Sequence, residues 1–157
     1  MPTTTTDLIY QGILTKLKSV VSLVHDDFIY ISYAPMFTQE DDQFVQLVPG
    51  VPVAVGDQAG IGLVTEEFEV AVWSRLYLDQ GTRSTERFAN ATYGVLKIMS
   101  QIRSGIINEY VLTGSDIISS GPMLYVRGSK LFESPEQPGW CHMSDTYSIS
   151  YEIAWGD

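Results

Sequence analysis

Glu66-Glu67-Phe68-Glu69-Val70-Ala71-Val72-Trp73-Ser74-Arg75-Leu76-Tyr77-Leu78 is the stretch that decides the fold. Phe68, Val70 and Val72 recur at a period of two, with Glu67, Glu69 and Ala71 between them. Successive side chains of a strand point to opposite faces, so this is a strand with one apolar and one polar face. Trp73, Leu76, Tyr77 and Leu78 make its end apolar on both faces, as in a strand covered on both sides. No other strand signal in the chain is as long.

Upstream, Ile9, Ile13, Leu17, Val20, Val21 and Val24 are spaced by threes and fours. That spacing predicts an amphipathic helix over residues 7–23. Thr5 or Thr6 can cap it, with Asp7 in its first turn and residues 1–6 as a flexible arm. Phe28–Tyr33 alternates and is rich in β-branched and aromatic residues, which predicts a strand ended by Ala34-Pro35. A polar loop over 36–43 and a short strand Phe44–Val48 follow. Pro49-Gly50-Val51-Pro52 predicts an interruption, because proline offers no amide donor to a ladder. Three glycines between Gly56 and Gly62 predict a mobile loop.

Downstream, Asp79–Arg83 is a polar turn, and Thr82 or Ser84 caps a second helix. Phe88, Ala91, Val95, Ile98, Met99, Ile102 and Ile106 form its apolar stripe over residues 84–107. Gly94 and Gly105 weaken it by about 1 kcal/mol each if they lie in the helix interior. Tyr110–Leu112 and Asp116–Ser119 are short strand candidates, and Met123–Arg127 is a better one. Residues 128–141 carry Pro135 and Pro138 and predict a loop. Tyr147, Ile149, Tyr151 and Ile153 then alternate with Ser148, Ser150, Glu152 and Ala154 as a half-buried C-terminal strand. The order predicts a single α+β domain over residues 1–157, with two amphipathic helices on one face of a mostly antiparallel sheet.

The chain has 157 residues, 9 basic and 19 acidic, for a net charge of −10. Phosphate neutralisation needs a lysine and arginine excess, so a nucleic-acid binder of that kind is excluded. Residues 1–70 hold a net −8, mostly in Asp26-Asp27, Glu40-Asp41-Asp42 and Glu66-Glu67-Glu69. A lone cysteine, Cys141, permits no internal disulfide. Residues 1–7 carry no signal-peptide pattern, and no apolar run reaches the roughly 20 residues that span a bilayer, so no membrane role is expected. The sequon at Asn90-Ala91-Thr92 reads as chance without an export signal.

The catalytic inventory is thin. Cys141 and His142 are neighbours whose side chains diverge in an extended segment, and three consecutive residues such as His25-Asp26-Asp27 rarely converge on one ion. Glu40-Asp41-Asp42 lacks the spacing of a calcium loop, and Gly56–Gly62 lacks the lysine and hydroxyl of a phosphate loop. No catalytic, cofactor-binding or metal residue is therefore assigned. The signal that remains concerns assembly: 15 serines, 12 threonines and nine tyrosines stand against few lysines, a composition suited to surfaces that pack on partners.

The whole layout resembles a family. An N-terminal amphipathic helix, a strand, an acidic loop, Phe68–Asp79, a long helix over Ser84–Ile107 and the terminal Tyr147–Trp155 strand look like the tail terminator proteins of long-tailed bacteriophages, among the small head–tail connector proteins. The resemblance implies a virion structural protein, assembled in the bacterial cytoplasm as a ring, usually a hexamer. The ring would cap the head-proximal end of the tail tube, stop tube growth and offer a surface to the head-completion or stopper protein. It implies no catalysis and no cofactor, and DNA passes through without specific binding. Acidic walls repel phosphate and suit passage. Glu40, Asp41, Asp42, Glu66, Glu67 and Glu69 are accordingly the candidate lumen or ring-interface residues. A stopper or tail-tube role in the same virion, a small enzyme with an acidic site, and a monomeric ligand-binding module are the alternatives. The last two require a pocket: one beside His25 or His142, or a sizeable apolar cavity.

Overall fold

The period-two stretch forms the middle of a sheet. A computed structural model of the chain describes residues 6–35, 43–58, 61–75, 94–111, 121–133 and 139–154. Six strands are present: β1 (Ile29–Ile31), β2 (Gln43–Gln58), β3 (Ile61–Arg75), β4 (Leu124–Gly128), β5 (Phe132–Glu133) and β6 (Trp140–Ala154). Their order is β1-β2-β3-β6-β4, with β5 also paired to β6. Only β1 runs parallel to its neighbour; every other pairing is antiparallel. β3 pairs with β6 along its whole length, from Ile61 opposite Ala154 to Arg75 opposite Trp140.

Two helices are described, α1 (Thr6–Val20) and α2 (Val95–Ile106), and both cover the same face of the sheet. Their stripes are the ones the spacing predicts. Ile9, Ile13 and Leu17 of α1 and Val95, Ile98, Met99, Ile102 and Ile106 of α2 are buried. They meet Val45 and Leu47 of β2, Phe68, Val70 and Val72 of β3, and Tyr147, Ile149 and Tyr151 of β6. Each large apolar side chain buried this way contributes roughly 1.5–3 kcal/mol. The α+β architecture with both helices on one face of a mostly antiparallel sheet is thus the observed one. Residues 1–5, 36–42, 76–93 and 112–120 lie outside the described residues. The predicted turn at Asp79–Arg83, the first part of the second helix and the Asp116–Ser119 strand therefore lie outside them too, as do Glu40, Asp41 and Asp42.

Several expectations are corrected. Pro49 and Pro52 do not end the strand: β2 runs through both, with shifts of register between Val48 and Val51 and between Pro52 and Ala54. β1 reaches only Leu47 of β2, so among the described residues the two prolines face no ladder on that side. On the other side Pro49 falls inside the first register shift, and Pro52 stands opposite Glu66 between the two shifts. Gly50 is required there, since a Cβ would sit 1.2 Å from the Glu67 carbonyl oxygen. The glycine segment 56–62 is the hairpin end of β2 and β3, with Gly56 opposite Leu63 and Asp57 opposite Gly62. The strand foreseen over Phe28–Tyr33 shortens to Ile29–Ile31, because Asp26–Phe28 forms a 3-10 turn capped by His25. β6 begins at Trp140, entered through Gly139 at φ 88°, so the loop foreseen over 128–141 is partly sheet. Tyr110 and Val111 are not in a strand.

The helix glycines also have definite uses. The continuous helix foreseen over 84–107 is corrected at Gly94, which is extended (φ −70°, ψ 163°) and starts α2 at Val95, so it does not lie in a helix interior. Gly105 lets α2 approach α1, since a Cβ there would lie 2.5 Å from the Val20 side chain. Two substitutions test these close approaches by urea unfolding. Gly50→Ala is expected to lose more than about 3 kcal/mol, because backbone cannot yield to a new Cβ. Gly105→Ala should cost about 1–3 kcal/mol despite the better helix propensity of alanine, and Val20→Ala beside it should recover part of that loss. Additive effects at Gly105 and Val20 would show that the two helices do not meet there.

Candidate functional site

The acidic candidates separate by parity along β3. Glu66 shares the helix-covered face with Phe68, whereas Glu67 and Glu69 point to the other face. Glu66 is buried, and both of its carboxylate oxygens are occupied. Tyr10 of α1 donates its hydroxyl to Oε2 at 2.8 Å, and Tyr151 of β6 donates to Oε1 at 2.7 Å. The Gly50 amide donates in turn to the Tyr10 oxygen at 2.9 Å. With the Tyr151 proton committed to Glu66, Thr6 is the donor in its 2.9 Å contact with Tyr151. Burial raises both phenols, Tyr151 up to about 12 and Tyr10 further, so both are protonated donors at ordinary pH. The neighbouring carboxylate raises them as well, while the Gly50 amide and the Thr6 hydroxyl pull in the opposite direction.

Glu67 and Glu69 are half-buried. Glu67 lies 3.4 Å from Arg127 at the end of β4. Asp26 and Asp27 are exposed on the 3-10 turn before β1. Glu66, Glu67 and Glu69 therefore do not form one patch, although they are close in sequence. A second buried carboxylate, Asp145, went unnoticed in the sequence. It sits in the middle of β6, fully buried, and accepts two hydrogen bonds from Arg103 of α2 at 2.7 and 2.8 Å and one from Tyr147 at 2.9 Å. The forked guanidinium and the phenol together satisfy a charge that would otherwise be costly to bury. Arg103 is held charged by that carboxylate, and Tyr147 is raised chiefly by burial.

The opposite face of the sheet carries an aromatic ladder. Tyr30 stacks on Phe44 (ring centroids 5.6 Å apart), Phe44 on Trp73 (5.7 Å), and Trp73 on His142 (4.3 Å). Trp140 tilts against Phe44 at 5.4 Å, with the Arg75 guanidinium 5.1 Å above its ring. The Trp73 indole donates to Gln46 at 2.9 Å. Trp73 is buried among these rings, while Leu76, Tyr77 and Leu78, the rest of the apolar end expected to be covered on both faces, lie outside the described residues. Cys141 is opposite Ser74 and His142 opposite Trp73, so their side chains face opposite sides as expected. Burial lowers the His142 imidazole, a trend that Glu69 opposes, and its buried Nδ1 has no hydrogen-bond partner.

A groove of about 550 Å³ opens beside the β2 bulge, lined by Thr6, Tyr10, Ile31, Tyr33, Pro49 and Glu66 among others. Neither His25 nor His142 lines it, and the Glu66 oxygens facing it are already bonded. Among the described residues no group of three or more His, Cys, Asp or Glu is placed to hold a metal. No described helix is long and apolar enough to cross a membrane.

Among the described residues, the β4 edge stands out for exposed apolar surface. All five of its residues are exposed, and Leu124, Tyr125 and Val126 are followed by exposed Leu131 and by Phe132 at 51%. Isolated exposed apolar residues are ordinary, but a contiguous group on a sheet edge is not. The sequence signal was the unbroken apolar triplet Leu124-Tyr125-Val126, which has no polar side to turn toward water.

No family model and no curated protein sequence matches the chain. One solved structure similar to it is a chain from the virion of a native gene transfer agent particle. The two share 12% identity with a TM-score of 0.57, over 92% of this chain and 91% of that one. At this identity the likeness is one of fold.

The two kinds of glutamate are separable by mutation. Glu66→Leu leaves two buried phenols without an acceptor and should cost roughly 2–4 kcal/mol in urea unfolding, whereas Glu67→Gln should change stability by less than about 1 kcal/mol. Equal losses at both positions would contradict the network. His142 supplies a pH test. Its folded value is depressed, so below about pH 6.5 the unfolded chain binds the extra proton and stability falls with pH. His142→Phe should flatten that acid limb. On the alkaline side, Tyr151 keeps stability intact up to about pH 10 and surrenders it as pH rises toward about 12, a limb that Tyr151→Phe should reduce.

Proposed function

We propose that this chain is a virion structural protein, a tail terminator of the long-tailed bacteriophage type. It closes as a ring, usually hexameric, on the head-proximal end of the tail tube, stops tube growth and presents the surface that receives the head-completion or stopper protein. The observation that carries this reading is a fold shared over nearly the full length of both chains with a component of a virion particle. The contiguous apolar edge at β4 supports it, because such a surface suits a protein that spends its working life against neighbours.

Carboxylate chemistry counts against the small enzyme. The buried carboxylates Glu66 and Asp145 are held by structural partners, and the groove beside Glu66 contains no histidine. A catalytic acid needs a free proton site aimed at substrate. Glu66 accordingly acts as a fastener for α1, and the lumen or ring-interface role passes to Glu67 and Glu69, together with Glu40, Asp41 and Asp42. Negative walls of this kind let DNA slide through without adhering.

The test is assembly on a tube. Purified chain, added at low ratio to polymerising tube protein, should arrest growth and shift tube lengths downward in electron micrographs. Light scattering should show a ring-sized species on tube ends. Tubes of unchanged length, with a chain that remains monomeric beside every tail component, would overturn the reading.

A further inference from the structure

The two edges of the sheet differ in charge. β4 is the described edge beyond β6, and Arg127 and Lys130 lie between its apolar triplet Leu124–Val126 and the exposed pair Leu131-Phe132. β1 is the opposite edge, entered through the exposed pair Asp26-Asp27 and left through Tyr33, which is 82% exposed. Among the described residues, neither Lys130 nor Asp26 has an ion-pair partner within the chain.

We infer that the β4 edge docks on the β1 edge of a second copy, head to tail. This rests on the ring reading and assigns its surfaces. Three observations converge on that occupant. β4 is exposed along its whole length, and Leu124, Tyr125, Val126, Leu131 and Phe132 provide the apolar centre of a contact. A symmetric contact of β4 with β4 would gather the Arg127 and Lys130 of both copies into one interface with no acid of that edge to pair them, and like charges brought together are penalised. The β1 edge of the next copy instead offers Asp26 and Asp27 to those bases. A contact between two different patches does not stop at a dimer. It propagates, and with the right rotation it closes into a ring.

The experiment is a charge exchange in the full-length chain, read by light scattering and electron microscopy on tube ends. One variant carries Arg127→Glu and Lys130→Glu, the other Asp26→Lys and Asp27→Lys; the folded state of each is checked by circular dichroism and urea unfolding. Each alone should raise the concentration for half-assembly at least about tenfold, because its two edges then carry the same sign. An equimolar mixture of the two, and a single chain carrying all four substitutions, should both assemble near the wild-type concentration. Folded variants that form rings as wild type does, or a fourfold variant that is not restored, would overturn the edge assignment and leave the ring reading standing. Wild-type chain that never associates with itself, on or off the tube, would overturn both.

Discussion

The Glu66 carboxylate is the point at which four elements of the structure are joined. It belongs to β3, and it is bonded by Tyr10 from α1 and Tyr151 from β6. Through the Tyr10 oxygen it reaches Gly50 in the β2 bulge. The bulge in turn needs a residue without a side chain, because β2 passes against the Glu67 carbonyl. Arg103 and Asp145 do for α2 what Tyr10 and Glu66 do for α1: each helix is fixed on the apolar sheet face by polar contacts to a buried carboxylate inside it. Apolar packing alone is indifferent to small slides of a helix, whereas a directional bond to a buried charge sets one register.

Much of this layout is legible in the sequence, for a physical reason. The helix stripes and the alternation of Phe68, Val70 and Val72 are periodic, and periodicity reports burial on one side directly. The same parity separates Glu66 from Glu67 and Glu69. Treating the three as a cluster by proximity obscured it, since neighbours along a strand are opposed in space. The proline and glycine readings erred in the other direction. Pro49 and Pro52 break a ladder only where a neighbour needs their amide, and β1 is too short to need it. Gly56 and Gly62 signal a turn, but they do not say how far the paired strands continue toward it. Asp145 was hidden for a different reason. Its partner Arg103 is 42 positions away, and nothing local marks one aspartate of a polar strand segment as fully buried.

The two faces of the sheet are organised by different forces. The helix face is mainly aliphatic, with Phe68, Tyr147 and Tyr151 set among the aliphatic side chains, and is closed by two charged anchors. The other face is built on rings: Tyr30, Phe44, Trp73 and His142 form a continuous stack across β1, β2, β3 and β6. Flat aromatic surfaces fill a cross-strand row with few rotatable bonds to freeze. That stiffens the paired β2 and β3 strands where the rings stack, and it keeps the half-buried acids of β3 on a rigid plate.

The exposed β4 edge also has a colloidal consequence. An exposed apolar strand edge is a template for indiscriminate pairing, and among the described residues β4 is exposed along its whole length. Soluble proteins hold such copies apart by mutual repulsion, and a net charge of −10 on 157 residues supplies that repulsion. Its reach is about 10 Å at 0.1 M salt and shrinks to about 3 Å at 1 M. The acidity thereby works against the contacts between stray copies that an exposed apolar edge would otherwise favour.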